Sequence, residues 1–336
     1  MCHETTSVGL RDSIGLGKGT VTLEDFDIAD AIFSFGHNPG TNHPRMLGTL
    51  REVSRRGGNI VAINPLKERG LERFQDPQAA VEMMTNGSTP ISRYYFQPNV
   101  GGDYALMFGM LKHLREWDIQ ALAAGKKSVF DRSFIEMNTV GFDAMMEEID
   151  RTEWSDIHTH TGLSPEHLES LAKMYLDAKT AIFCWGMGIT QHRHGTANVH
   201  MLANLMLARG HIGRPGAGLA PIRGHSNVQG DRTMGINERP SPKLLDSLDR
   251  VFGIKSPREH GFGVVDTIQA MYEGDVKVFI GLGGNFAVAT PDTPYTQEGL
   301  RRCDLTVQIA TKLNRSHLVC GKEALLLPCL ARTEID

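Results

Sequence analysis

The sequence predicts an α/β protein with open, mostly parallel sheets flanked by helices, in two lobes of which the second is short for a complete one. Three observations carry this. Five short apolar, β-rich runs recur along the 336 residues; each ends in a glycine- or asparagine-rich turn; helix-patterned stretches separate them. A parallel strand covered on both faces by helices reads as a continuous apolar run rather than an alternating one. Strands that alternate with helices pack as open α/β layers.

In chain order the strand-and-turn runs are AIFSFGHNPGTN (31–42), IVAINPLKERG (60–70), AIFCWGMGITQ (181–191), VFIGLGGNFAVATPD (278–292) and LTVQIATKLN (305–314). Helices are expected over 44–56, 102–117, 164–176 and 198–207. Ser164 followed by Pro165 and Glu166 supplies an N-cap, a proline in the first turn and an acidic residue near the positive helix end. Glycine and proline crowd 213–243, where periodicity fades, and this stretch reads as the crossing between lobes. The expected division is 1–225 and 226–336.

Composition excludes several classes. Hydrophobic residues make up 40% and charged residues 22%, and the formal charge is -4, so no basic face invites nucleic acid. No apolar run approaches the ~18 residues of a membrane span. Arg55-Arg56 and Lys126-Lys127 read as solvated helix ends. The five cysteines (Cys2, Cys184, Cys303, Cys320, Cys329) form no CxxC, so neither an iron–sulfur cluster nor a structural zinc follows from spacing. MCHETTSVGL has no basic or apolar leader segment, and a cytoplasmic, reducing setting is the expectation.

Ligands of parallel α/β sheets collect at the carboxyl ends of the strands, where loops lead into helix N-termini. All five glycine or asparagine clusters lie there. Glycine lets backbone N–H groups approach phosphate, and amides can read ribose or base edges. A large phosphate-bearing ligand is expected. For one isolated glycine loop a tight turn is the better explanation; five together weaken it. GLGKG (15–19) follows no strand, GLGGN (281–285) lacks the third glycine of GxGxxG, and no P-loop occurs, so a nicotinamide fold has little support. His158 and His160, and His192 and His194, read as exposed loop residues rather than metal ligands. Cys2-His3 is sharper: a thiolate is a soft ligand for a redox metal, and an adjacent imidazole moves protons near neutrality. Two residues alone would still pass for a frayed terminus.

In order along the chain, Cys2-His3-Glu4, SVGLRDSIGLGKG, DIADAIFSFGHNPGTNHPRM, GGNIVAINPLKERG, GGDYALMFGML, AIFCWGMGITQHRHG, GHIGRPGAGLAPIRGHSNVQGDRTMG and VFIGLGGNFAVATPD resemble the molybdopterin oxidoreductases. The resemblance is to the formate-dehydrogenase-like branch of the dimethyl-sulfoxide-reductase superfamily and covers nearly the whole chain. It implies molybdenum bis(molybdopterin guanine dinucleotide) held between two α/β lobes, with no iron–sulfur cluster in this chain. Gly36, Asn38 and Asn42, then Asn64, Pro65 and Lys67, then Trp185, Gly186, Met187, Gly188, Thr190 and Gln191 would hold one dinucleotide. Gly283, Gly284 and Asn285 would hold the other, with Asn227, Gln229 and Gly230 near the pterin. By the same resemblance Cys2 would ligate the metal, His3 would assist proton movement and Arg223 would hold a small anionic substrate such as formate, with electrons passing to an acceptor the sequence does not identify. The family normally carries further domains before and after this part, so a truncated central portion is expected. His225 stands where formate enzymes tend to have glutamine, a departure that bears on formate specificity.

Overall fold

The computed structural model describes residues 2–225, 228–331 and 334–335. Residues up to Val228 form one compact unit and those from Gln229 onward a second.

The first unit is built on five strands, β1 (Ala31–Phe35), β2 (Asn59–Ile63), β3 (Tyr94–Phe96), β4 (Ala181–Trp185) and β5 (Gly218–Pro221). All neighbours pair in parallel, in the order β3-β2-β1-β4-β5. The chain thus winds outward from β1 in one direction, then returns to the other side through β4. Strand order reverses between β1 and β4, and such a switch point is where open α/β sheets form their ligand crevice.

Period-two alternation divides the core. Phe33, Phe35, Phe183 and Trp185 face a layer formed by the helices α1 (Glu4–Ile14), α4 (Asp103–Ala123), α5 (Pro165–Asp177) and α6 (Gly195–Ala208). Ile32, Ile60, Ile182 and Cys184 face the opposite layer, where α2 (Leu23–Ile28) and α3 (Met46–Arg55) contribute Phe26, Leu47, Leu50 and Val53. Large aromatics on one face and branched or small residues on the other fix which helices each side accepts. α5 starts as its sequence dictates, with Ser164 Oγ accepting from His167 N–H and proline in the first turn.

In the second unit β6 (Val278–Leu282), β7 (Leu305–Ala310) and β8 (Glu323–Pro328) form a parallel sheet in the order β8-β7-β6. The helices α7 (Val264–Glu273) and α8 (Thr293–Arg302) supply Ile268, Met271 and Leu300 to its small core.

Three expectations need correction. The glycine- and proline-rich stretch is not connection throughout: β5 lies in it, pairing with β4 at the sheet edge, where Pro221 costs no interior ladder bond. Thr20 N–H donates to the Leu219 carbonyl, closing that edge. Arg56 is more than a solvated end, because its Nη2 donates to the carbonyls of Phe26 and Ala29 and so caps α2. Arg55 pairs with Glu82. His158 and His160 lie in a helix, Trp154–Thr161, with the His158 ring stacked on Trp154 at 5.4 Å. Among the described residues no helix is long and apolar enough to cross a membrane.

Candidate functional site

The N-terminal residues are fixed by the helix they introduce. α1 carries Glu4 in its first turn, Arg11 in its last and Gly15 as a left-handed C-cap, all favourable to the helix dipole and its exposed carbonyls. Gly9 lies so close to Val199 that a Cβ there would meet its side chain at 2.9 Å, so glycine permits α1 to cross α6 tightly. Cys2 is half-buried and His3, the N-cap residue, is 2% exposed. His3 Nδ1 lies 3.0 Å from Thr6 Oγ1, which also accepts the Trp185 Nε1–H at 2.9 Å. The end of β4 thereby orients the head of the chain. Burial first, and the positive Arg223 second, lower the His3 pKa to about 4, so the imidazole is neutral at pH 7.

Arg223 follows β5 by two residues. Its Nη2 donates to the Gly17 carbonyl at 3.0 Å, and both terminal nitrogens approach Ser7 Oγ at 3.3 and 3.4 Å. Its own carbonyl lies 2.9 Å from His43 Nε2, and His43 Nδ1 lies 3.0 Å from His37 Nε2. His37 is 3% exposed, and burial, then His43 and His3, bring its pKa down to about 3. Three histidines and an arginine from three segments thus converge beside the switch point. His37 and His43 were invisible as site residues in the sequence; two histidines flanking an NPGTN turn after a strand were the available signal.

The loop glycines also make close contacts with one another. A Cβ on Gly188 would lie 2.7 Å from the Gly36 carbonyl oxygen and 2.8 Å from its Cα; one on Gly186 would also lie 2.7 Å from that oxygen. Gly188 N–H donates to the Gly36 carbonyl at 3.1 Å. Gly40 and Gly70 meet in the same way, with 2.6 Å from a Gly70 Cβ to Gly40 Cα. These glycines close adjacent loops onto one another before any ligand is considered.

Several amides are likewise engaged within the protein. Asn38 Oδ1 accepts from Thr41 N–H while its Nδ2 donates to Glu68, joining the β1 and β2 loops. Asn64 Nδ2 donates to Leu66 O, and the Pro65 carbonyl accepts from Gln97. Trp185 is wholly buried with its N–H on Thr6, so its side chain does not line a ligand surface and acts instead on α1. Asn42, Lys67, Met187, Gly188 and Gln191 are exposed, and Lys67 borders a cleft of about 550 Å³ with Arg69, Arg73 and Gln75. Thr190 is buried, its Oγ1 without a partner among the described residues. In the second unit Gly283 and Gly284 adopt φ of 71° and 74° with open space where a Cβ would stand, and the Gly283 N–H donates to the Ile309 carbonyl at 2.7 Å. Asn285 Oδ1 there accepts from Ser316, pinning the loop. Gln229 and Gly230 lie in the short helix Val228–Thr233; Asn227 lies outside the described residues.

Among the described residues no group of three or more histidine, cysteine or carboxylate side chains could hold a metal ion. A metal held at Cys2 would need most of its ligands from a bound group, which a dithiolene-bearing pterin would supply. The half-buried thiol and the orphaned His3 Nε2 beside it fit such a group.

A doubly wound sheet with this crevice is shared by many chemistries, and comparison with known proteins narrows it. The chain belongs to the molybdopterin oxidoreductase family, whose model matches residues 10–318. Family membership implies a molybdenum–pterin cofactor. The chain is 51% identical over its full length to Protein YdeP of Escherichia coli, covering 44% of that protein. It is 49% identical over its full length to the uncharacterized oxidoreductase Mb2924c of Mycobacterium bovis, covering 42%. Formate dehydrogenase H of Escherichia coli is 26% identical over 284 residues, which are 82% of this chain and 36% of that protein. Acetylene hydratase from Pelobacter acetylenicus shares the fold with a TM-score of 0.63 and 17% identity over 91% of this chain and 41% of its own. The chain spans less than half the length of these relatives.

Proposed function

We propose that the chain is the central part of a molybdopterin-dependent oxidoreductase acting on a small anion such as formate, with Cys2 as protein ligand to the metal. The observation that carries this reading is that Arg223 reaches Ser7 Oγ on α1, whose N–H in turn donates to the His3 carbonyl, so residues some 220 positions apart meet at the head of the helix that follows Cys2. The guanine dinucleotide form of the cofactor belongs to the same proposal, as does a cytoplasmic setting.

When bound, the molybdenum–pterin group supplies the two-electron redox chemistry. Cys2 offers one soft thiolate donor at the N-terminal end of α1, where the helix dipole favours negative charge. Arg223, braced by Gly17 and Ser7, presents a planar cation suited to a carboxylate. His3 is neutral at pH 7 and can accept a proton. An anion resting on Arg223 offsets the positive charge that disfavours the imidazolium, so substrate arrival makes His3 a better base. The surrounding burial keeps water from competing for that proton.

Dye-linked formate oxidation by the holoprotein tests the reading. Cys2→Ser is expected to lose about a hundredfold or more of kcat, and Arg223→Lys to raise the formate KM about tenfold. Full activity in the serine variant would rule out Cys2 as ligand to a working metal.

A further inference from the structure

His37 and His43 take no part in the chemistry just described, yet their hydrogens can be assigned. His43 Nε2 faces the Arg223 carbonyl at 2.9 Å, and a carbonyl oxygen only accepts, so that nitrogen carries the hydrogen. In neutral His43 Nδ1 is then a lone pair. His37 Nε2 lies 3.0 Å from it and must be the donor, which leaves His37 Nδ1 bare. The rings pack at 5.0 Å between centroids, and burial keeps His37 uncharged, as this arrangement requires. His37 Nδ1 is a buried acceptor with no partner among the described residues, so the pair is not arranged for maximal hydrogen bonding of its own.

The bond to Arg223 falls at a decisive point of the backbone. The last ladder bond of β5 runs from Ile222 N–H to the Trp185 carbonyl, and His43 takes the carbonyl of the following residue, Arg223. Arg223 is thus held from two sides: its guanidinium by Gly17 and Ser7 near α1, its carbonyl by the β1 loop.

We propose that His37 and His43 are a positioning pair for Arg223, in which His37 holds the His43 ring at Nδ1 and His43 fixes the Arg223 backbone, so that the guanidinium meets an anionic substrate in one orientation. The inference rests on the reading of Arg223 as the anion-holding residue. His43 does not touch substrate; it acts on how well substrate is held. Its loss therefore weakens binding more than turnover.

Two readouts test it. Long-range proton–nitrogen spectra of the histidine-labelled chain at pH 7 are expected to show both His37 and His43 protonated at Nε2 and bare at Nδ1, and His43 to keep that tautomer in His37→Leu, where the Arg223 carbonyl still demands it. In dye-linked formate oxidation, His43→Leu is expected to raise KM about tenfold with kcat within about threefold. His43→Gln, whose amide nitrogen can occupy the Nε2 position, is expected to stay within about twofold of the parent KM. A His43 protonated at Nδ1, or equal KM values in His43→Gln and His43→Leu while Arg223→Lys raises KM, would overturn the pair's role alone. An unchanged KM in Arg223→Lys would overturn the anion-holding reading and the pair with it.

Discussion

Replacing Gly188 by alanine probes the contact that closes the β1 and β4 loops over the switch point. The new Cβ would stand 2.7 Å from the Gly36 carbonyl oxygen and 2.8 Å from Gly36 Cα, both backbone atoms that cannot rotate away. Restoring ordinary contact requires the loops to part by about half an ångström, which stretches the 3.1 Å Gly188 N–H to Gly36 bond beyond useful length. Overpacking costs about 1–3 kcal/mol and the hydrogen bond about 1 more, giving about 2–4 kcal/mol together. For a unit of this size that corresponds to a fall in Tm of about 5–12 °C. Urea unfolding followed by tryptophan fluorescence is a suitable assay because Trp185, wholly buried, lies at the same strand end. Gly48→Ala is the control. Gly48 lies within α3 with open space where the added methyl would stand, and alanine there should stabilise by about 0.5–1 kcal/mol. A Gly188→Ala cost below about 0.5 kcal/mol would refute the loop-closure argument.

Other expectations follow from the same structure. His211 is buried and its pKa is lowered to about 3, first by burial and then by Arg214 and Arg209. The unfolded chain takes up that proton below about pH 6.5 while the native one does not, so stability falls with pH across the window from about 6.5 to 3. In urea titrations His211→Phe should shrink the stability difference between pH 7 and pH 5 by about 2 kcal/mol; an unchanged difference would contradict the assignment. Asp118 is fully buried, accepting from Val129 N–H, Ser128 and Arg132, and Asp118→Ala should cost about 3 kcal/mol in chemical denaturation. Trp185→Phe removes the donor to Thr6 and should cost about 1 kcal/mol in the same measurement, with little change in strand packing.

β1, β2, β4 and the long helices were legible because burial on both faces writes itself as apolar runs, and Ser164-Pro165 as a helix start; β6 and β7 also showed as apolar runs, whereas β3, β5 and β8 were not read from the sequence. β5 escaped notice because a four-residue edge strand made of Gly-Leu-Ala-Pro has the composition of a turn. Its pairing with β4, a tertiary fact, outweighs local preference. The site was legible in its residue types but not in its contacts. Gly36, Gly186 and Gly188 read as ligand glycines, and the contact these loops make with each other was hidden because sequence cannot show a backbone that must approach another loop. Trp185 read as a lining residue for the same reason: only the fold shows its N–H turned inward onto Thr6. His37 and His43 were silent since their partner, the Arg223 carbonyl, lies 180 residues further on.

The central claim, that Cys2, His3 and Arg223 serve a molybdenum–pterin centre, is tested most directly by the metal and pterin content of the purified protein. The account predicts about one molybdenum per chain, oxidised-pterin fluorescence and about two guanine nucleotides per metal, with the metal depleted in Cys2→Ser. Protein that carries neither molybdenum nor pterin, and whose melting temperature instead rises with a nicotinamide dinucleotide, would contradict it.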